Sequence, residues 1–343
     1  MKLSLLRRGI AVALVLLPLS SMADSVNFAL VKKITLPTVD GHGDLLRYDP
    51  GNQQIYASMA RSGGAVINTK THNISHIIQG GIENPSGMSW DKNYVYWTSN
   101  AKSHGHPDDQ IYVVSKQNWK VVYHFHPVGL TPDAIYANEK NHRLYVVMND
   151  SNWIDIYSLG EKPVYLGQIP LYPTSGSGPD VGVLRAKANL LYIPDDSWEE
   201  TIDLKTNKII AKVNTALPGS VGESSHTKGQ VYDEKTGDLW VGTTKGGILV
   251  LNASNLKIIK RLPSKAGIDE VALDPKYQLI YAFESKGKGF NVYNAKTLQL
   301  VGFVKTGYLS THTGAVNPQT HEIYAYAGMD HTIFVYRPIS SKP

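Results

Sequence analysis

The 343-residue sequence contains no cysteine. Disulfide bonds, thiolate metal sites, iron–sulfur clusters and a cysteine nucleophile are therefore excluded for this chain. A lipoprotein anchor is excluded as well, because it needs a cysteine directly after the signal. Thiolate chemistry or covalent haem attachment would have to be supplied by a partner molecule.

Charged residues are also scarce, at 18% of the chain, whereas hydrophobic residues make up 42%. This composition allows a large core and argues against disorder. The formal net charge of +5 arises partly in the first 23 residues, which carry three basic residues and no acidic one. The 31 basic and 29 acidic residues that follow leave a charge of only +2. We therefore expect no nucleic-acid partner.

Long apolar runs are absent after the N-terminus. The run from Ile10 to Leu17 follows basic residues, ends at Pro18 and is too short to cross a bilayer. Small residues up to Ala23 complete the pattern of a secretory signal, residues 1–23. The alternative is a retained membrane anchor. The sequence predicts a periplasmic or secreted protein with a single domain over residues 24–343 and no transmembrane anchor after cleavage.

Turn-forming residues and tyrosine are abundant, with 30 Gly, 18 Pro and 20 Tyr. Many short strands are therefore expected rather than long helices. Seven strand-like segments share an apolar–aromatic–apolar pattern, and their aromatic residues are Tyr56, Tyr96, Tyr145, Tyr192, Trp240, Tyr281 and Tyr324. Neighbouring members are 40 to 49 residues apart, which is the length of four short strands with their turns.

The two ends of the repeat array complement each other. The last repeat ends near Tyr336 without a fourth strand, and a spare strand from Phe28 to Leu36 precedes the first repeat. The sequence therefore predicts an all-β fold, a seven-bladed β-propeller of four-stranded blades, closed by the N-terminal strand pairing into the last blade. An open β-solenoid is the alternative, and a monomer is expected.

The repeat also carries a family resemblance. The strand from Leu144 to Val147 and the polar turns at Asn252 and Asn294 resemble the secreted bacterial YVTN-type β-propeller repeat family, which is related in architecture to NHL and WD-repeat propellers. The resemblance covers nearly all of the chain after the signal. It implies a periplasmic or surface protein, commonly without an established reaction, because such repeats encode blade packing.

The first strand of each propeller blade lines the central channel, so polar residues at matching positions should converge there. Counting back from the Asp or Asn turn after each first strand gives a polar ring of Asp44, Ser86, Asp133, Asp180, Lys228, Asp269 and His312. One step outward lie His42, Asn84, Thr131 and His226. Crowded carboxylates favour a bound cation or raised pKa values. The alternative is that each residue caps its own strand.

Two loops between second and third strands are unusually polar. His104, His106 and Asp108 offer nitrogen and oxygen donors for a metal such as zinc, within residues 100–110. Trp198 stands among four acidic residues and could stack on a ligand while the acids orient a cation or a basic partner. A solvated polar loop is the alternative for both segments.

The sequence favours a binding or scaffold module over an enzyme, because it lacks the Gly-x-Ser-x-Gly and His-Glu-x-x-His motifs. The partner would be an unidentified protein or a small-molecule ligand. The expected ligand-binding residues are His42, Asp44, Asn84, Asp133, Asp180, Trp198, Lys228, Asp269 and His312.

A metal-dependent hydrolase or lyase of the lactonase type is the alternative function. A divalent cation, Ca²⁺, Mg²⁺ or Zn²⁺, would then lie in the channel or in the 100–110 loop and polarise a substrate oxygen. Its channel ligands would be Asp44, Asn84, Asp133, Asp180 and Asp269. His226 or His312 would act as the general base. A redox or quinone-binding propeller is a third possibility.

Overall fold

In the computed structural model, the chain folds into seven four-stranded antiparallel sheets arranged as the blades of a propeller. The structure describes residues 26–37, 41–59, 63–78, 81–100, 108–173, 178–216, 225–264 and 266–339. The predicted signal lies outside these ranges. Helix within them is limited to two short 3₁₀ turns, Ala186–Ala188 and Gly328–Asp330. The prediction of an all-β, seven-bladed propeller is confirmed.

The strands follow one another with short turns. They are β1 (Asn27–Thr35), β2 (Leu46–Asp49), β3 (Gln54–Ser58), β4 (Gly64–Asn68), β5 (Asn73–Ile78), β6 (Pro85–Trp90), β7 (Tyr94–Ser99), β8 (Gln110–Ser115), β9 (Val121–Phe125), β10 (Pro132–Asn138), β11 (Arg143–Met148), β12 (Trp153–Ser158), β13 (Tyr165–Pro170), β14 (Val183–Arg185), β15 (Leu190–Asp195), β16 (Trp198–Asp203), β17 (Lys208–Asn214), β18 (Thr227–Asp233), β19 (Asp238–Thr243), β20 (Gly247–Asn252), β21 (Ile258–Leu262), β22 (Ile268–Asp274), β23 (Leu279–Glu284), β24 (Gly289–Asn294), β25 (Gln299–Lys305), β26 (Thr313–Asn317), β27 (Glu322–Ala327) and β28 (Thr332–Ile339).

The ring closes in the last blade. Six blades are built from four consecutive strands, whereas the seventh has the order β1-β28-β27-β26. Strand β1 pairs with β28 in antiparallel register from Asn27 opposite Ile339 to Thr35 opposite Thr332. The predicted closure by the N-terminal strand is therefore confirmed, and it holds the first and last described strands in one sheet.

In the first two blades the repeat tyrosine is hydrogen-bonded to the Asp turn after the first strand. All seven repeat aromatics are at most 1% exposed. In the first blade the Tyr56 hydroxyl donates to Asp49 Oδ2 at 2.7 Å, and in the second the Tyr96 hydroxyl donates to Asp91 Oδ2 at 2.6 Å. A buried phenol needs a hydrogen-bond partner, and the turn carboxylate supplies it. In these two blades the repeat therefore links the turn after the first strand to the blade core.

The seven first strands surround a central channel that contains two cavities. The upper chamber, of about 310 Å³, lies where these strands begin and is lined by the predicted polar ring from Asp44 to His312. The lower chamber, of about 750 Å³, is lined by residues further along the same strands, including Arg47, Trp90 and Tyr232. The fold thus presents one polar and one largely apolar cavity on the same axis.

Candidate functional site

The upper chamber collects the polar ring. All seven ring residues line it, so one residue from each first strand or its entry faces the same space. Of the nine predicted ligand-binding residues, the chamber brings together Asp44, Asp133, Asp180, Lys228, Asp269 and His312. His42, Asn84 and Trp198 are not among its lining residues.

A β-bulge places several ring residues. The pairing of first and second strands shifts register between Pro85 and Met88, and between Ile268 and Val271. Ser86 and Asp269 lie inside these shifts, as do Asp133 and Lys228 in the third and fifth blades. A bulge opposes two residues to one and re-aims a side chain. At Gly87, beside Ser86, an added Cβ would lie only 2.2 Å from the carbonyl oxygen of Asp133, so neighbouring first strands approach closely there.

The loop entering each first strand has a recurrent backbone turn. In six of the seven blades the residue two positions before the ring residue has positive φ: Asn84, Thr131, Gly178, His226, Gly267 and Ser310. Glycine and asparagine adopt this conformation readily, whereas a β-branched residue such as Thr131 rarely does. The outer residues Asn84, Thr131 and His226 therefore occupy a structural turn. Of these three, Thr131 also lines the upper chamber.

Ser86 joins two carboxyl groups across the chamber. Its Oγ donates to Asp44 Oδ2 and lies 2.6 Å from Asp133 Oδ1. The Ser86 hydroxyl has one hydrogen and can donate to only one of the two aspartates at a time. The contact with the other aspartate is favourable when that carboxyl group is protonated and donates to Ser86 Oγ. Burial, followed by repulsion from Asp180 and Asp44, raises the pKa of Asp133 to about 8. Asp133 therefore retains its proton at neutral pH.

Lys228 is the strong cation of the chamber. Its Nζ donates to Asp180 Oδ2 at 2.6 Å. The negative charge of Asp180 raises the pKa of Lys228 above its usual value, so the ammonium stays charged at neutral pH. Burial raises the pKa of Asp269 to about 6, against the opposing effects of His312 and Lys228. One cation therefore stands among several carboxyl groups.

His312 lies at the edge of this charge cluster. Its Nδ1 is 3.0 Å from the carbonyl oxygen of Ser310, which can only accept, so Nδ1 carries a hydrogen. The Nε2 atom is buried without a hydrogen-bond partner and lies 4.0 Å from Asp44 Oδ1. His42 packs its ring 4.4 Å from that of His312 and supports it from outside the chamber.

Three polar residues outside the predicted ring also line the upper chamber: Asn100, Asn149 and Glu270. Asn100 and Asn149 each lie four residues after the repeat tyrosine of their blade, so the repeat register could have identified them. Glu270 directly follows the ring residue Asp269 and lies with it inside the bulge of β22. Simple alternation along a strand would have pointed Glu270 away from the channel.

Trp198 and its acidic neighbours differ from the prediction. Trp198 begins β16, and Asp195, Glu199 and Glu200 have 0% exposure. They lie in β15 and β16, the two inner strands of the fourth blade, so these acids are core residues and cannot meet a partner at the surface. The Trp198 ring packs 4.6 Å from Tyr172, and Lys212 Nζ lies 5.2 Å from the Trp198 ring centre. The chain itself thus supplies a cation for this tryptophan.

The proposed metal loop is only partly described. His104 and His106 lie outside the described residues, and Asp108 is exposed. The neighbouring Asp109 is buried, and its Oδ2 accepts from the backbone N–H of Thr131 at 2.6 Å. Among the described residues, no group of three or more His, Asp or Glu side chains is placed to hold a metal ion.

His226, the other predicted general base, lies beside the fourth blade. Its Nδ1 is 3.5 Å from Asp196 Oδ1. Burial lowers the pKa of His226, against the opposing effect of Asp196. His226 is not among the residues that line the upper chamber, so it is separated from the carboxyl cluster that it was predicted to serve.

The burial of Glu199 in β16 leads to a testable prediction. Glu199 is fully buried, and burial raises its pKa well above the usual range, against the opposing effect of the Gln230 side chain. The fold therefore keeps a proton that the unfolded chain loses above about pH 4, so stability falls as the pH rises. Replacing Glu199→Gln should raise the free energy of unfolding at pH 7.5 by about 2 kcal/mol and change it little at pH 5. Urea denaturation at the two pH values measures this.

An exposed glutamate provides the control for this experiment. Glu234 is exposed, so Glu234→Gln removes the same charge without changing a buried group. It should leave the free energy of unfolding within about 0.5 kcal/mol at both pH values. A Glu199→Gln variant that is less stable than the wild type at pH 7.5 would show that the ionised carboxylate is the preferred form.

Comparison with known proteins shows the fold and no family. No family model and no curated protein matches the chain. The structure is similar to the β-propeller domain of Cps50 (Swd1) from Myceliophteria thermophila, with a TM-score of 0.72 and 12% sequence identity, covering 90% of this chain and 99% of that chain. In the described ranges, no helix is long and apolar enough to span a membrane. The resemblance to the YVTN-type family stays a prediction, and the chain is a seven-bladed β-propeller.

Proposed function

We propose that this chain is an exported, non-catalytic binding propeller that holds a small organic cation in its upper chamber. The observation that carries the proposal is the charge of the lining. One ammonium group, that of Lys228, faces the same cavity as five carboxyl groups: Asp44, Asp133, Asp180, Asp269 and Glu270. A ligand cation would relieve the repulsion among these groups, whereas an anion would increase it.

The neutral groups of the chamber favour a ligand that also forms hydrogen bonds. Ser86, Asn100, Thr131 and Asn149 add hydroxyl and amide groups to the lining. The volume of about 310 Å³ is at the small end of the range for small-molecule sites. An amine with one or two further polar groups fits this combination of size and chemistry.

Binding of such a ligand should release a proton from Asp133, which can be measured. Its pKa of about 8 leaves it mostly protonated at pH 7. A cation placed beside it favours the ionised form and lowers that pKa. Binding at pH 7 should therefore release protons into the buffer, and this distinguishes a ligand in the chamber from one on the outer surface.

Calorimetric titration with 1,4-diaminobutane tests the proposal. The diamine should bind at least about tenfold more tightly than the uncharged 1,4-butanediol, because an added charge-assisted hydrogen bond is worth this factor or more. Its apparent enthalpy should differ between phosphate and ACES buffers at pH 7, which reports the released protons. Asp133→Asn should weaken the binding and remove the buffer dependence.

The matched control is Asp330→Asn, which neutralises an exposed aspartate outside the chamber lining. It should leave both the affinity and the buffer dependence unchanged. Equal affinity for diamine and diol, or equal binding by the wild type and Asp133→Asn, would overturn the proposed site. The export in this proposal rests on residues 1–23, and a mature chain that begins at Asp24 in the extracytoplasmic fraction is expected.

No observation favours the metal-dependent hydrolase over binding. His312 is next to the carboxyl cluster, but its free Nε2 atom faces Asp44 at 4.0 Å and has no nucleophile beside it. The described part of the chain holds no metal-binding group of three or more His, Asp or Glu.

A further inference from the structure

The lower chamber differs from the upper one in size and chemistry. It has a volume of about 750 Å³, within the usual range for ligand sites. Its walls are mainly apolar and are formed by the first strands, including Leu46, Met88, Ile135, Val271 and Leu273. A cavity of this size with apolar walls can bury most of a small amphipathic molecule.

Arg47 places a positive charge at the inner end of this cavity. It lies in β2 between Asp44, which lines the upper chamber, and Tyr48, which lines the lower one. Its Nη1 is 3.7 Å from Glu270 Oε2, which is longer than a hydrogen bond. The Arg47 side chain is 28% exposed and forms no hydrogen bond with any residue that the structure describes. Its guanidinium donors are therefore available to a ligand.

Glu270 faces Arg47 but is not hydrogen-bonded to it, because Nη1 and Oε2 are 3.7 Å apart. Its carboxyl group packs over Gly229, where an added Cβ would lie 2.3 Å from Glu270 Cδ. The glutamate is only 4% exposed, and burial raises its pKa, against the opposing effect of Arg47. The guanidinium has five N–H donors and therefore keeps donors for a ligand. Arg47 is thus a partly buried cation that faces an apolar cavity.

The outer part of the lower chamber is aromatic and carries further cations nearby. Trp90 and Tyr232 both line it. Lys116 Nζ lies 5.9 Å from the Trp90 ring centre, and Arg185 Cζ lies 3.8 Å from that of Tyr232. Lys116 is ion-paired with Asp49 at 2.8 Å, and the lining contains Asp233 and Glu234 as well as Lys235. Arg47 is therefore the group that marks the inner end of the cavity as a site for an anion.

We propose that the lower chamber is a second binding site and that it takes an amphipathic carboxylate. The carboxylate accepts hydrogen bonds from the Arg47 guanidinium, and the apolar body of the ligand lies against Met88, Ile135 and Val271. A guanidinium and a carboxylate form two parallel hydrogen bonds in the favourable geometry. The site is separate from the upper chamber and does not depend on the function proposed for it.

Titration calorimetry with octanoate tests this site on the purified chain at pH 7. Octanoate should bind at least about tenfold more tightly than 1-octanol, which has the same apolar body without the charge. Arg47→Met should remove this preference and lower octanoate affinity by a similar factor. Arg337→Met is the matched control, because it removes an arginine that is 56% exposed and outside the chamber lining, and it should bind octanoate like the wild type.

A second variant keeps the test decisive if Arg47→Met does not fold. Ala272 lines the lower chamber and is partly exposed to it. Ala272→Phe should fill part of the cavity and lower octanoate affinity while it leaves 1,4-diaminobutane binding in the upper chamber unchanged. Equal affinity for octanoate and 1-octanol, unchanged octanoate affinity in a folded Arg47→Met or Ala272→Phe variant, or no binding at millimolar octanoate would overturn the proposal.

Discussion

Replacing Lys228→Met will lower the free energy of unfolding by about 4 kcal/mol at pH 8, and by clearly less at pH 5. The substitution removes the ammonium that donates to Asp180 at 2.6 Å. At pH 8 this leaves Asp180 beside Asp133 and Asp269 with no cation between them. Near pH 5 these two neighbours are protonated in the fold, because burial raises their pKa values to about 8 and about 6. Urea denaturation of both proteins at the two pH values measures the difference.

The sign of this pH effect follows from linkage. A carboxyl group whose pKa is higher in the fold than in the unfolded chain destabilises the fold progressively as the pH rises between those two values. In the wild type, Lys228 stays charged throughout the range because its own pKa is raised by Asp180. The pH dependence of the loss therefore comes from the carboxyl groups that the lysine neutralises.

Two further variants make the Lys228 experiment specific. Lys257 is exposed, so Lys257→Met removes an equal charge and should change the free energy of unfolding by less than about 0.5 kcal/mol. The double variant Lys228→Met/Asp180→Asn should recover part of the loss at pH 8, because it also removes the carboxylate left without its partner. A loss of equal size at pH 5 and pH 8 would show that lost packing, and not charge, explains the destabilisation.

The periodic parts of the structure could be predicted from the sequence. Seven aromatic residues at nearly constant spacing marked the second strands, and an Asp or Asn turn marked the end of most first strands. One residue of each blade lies at the equivalent position beside the channel. Counting along the repeat was therefore enough to identify the ring from Asp44 to His312. The unpaired strand before the first repeat likewise identified the closing strand.

The residues that were missed or misplaced depend on local departures from that period. The bulge in β22 places Asp269 and Glu270 opposite one residue of the neighbouring strand, so alternation could not predict where Glu270 points. Glu199 and Glu200 have the composition of a solvated turn, yet they lie in an inner strand between two neighbours. Arg47 was not recognised, because the role of a long side chain in a channel depends on which opposite groups it reaches.

Deleting residues 26–36 should have the largest effect on the fold. The deletion removes β1, which pairs with β28 along its length, and the buried side chains of Ile34 and Leu36. It also removes Phe28, whose ring packs 6.1 Å from Tyr281 in the sixth blade. Burial of each such side chain contributes about 1.5–3 kcal/mol, so we expect a loss of about 5 kcal/mol or more in the free energy of unfolding. Thermal and urea denaturation, followed by circular dichroism, measure this loss.

The deletion also exposes the edge of β28, so the shortened chain should self-associate, and light scattering can detect this. A synthetic peptide of residues 26–37 should bind the shortened chain, restore its urea midpoint and suppress the scattering, because it supplies the missing edge strand in trans. A peptide with Ile34→Ser and Leu36→Ser keeps the backbone donors but loses the apolar anchors, so it should restore neither. If the shortened chain kept the midpoint of the full chain, the N-terminal strand would be dispensable for closure and the blades would hold the ring by their own packing.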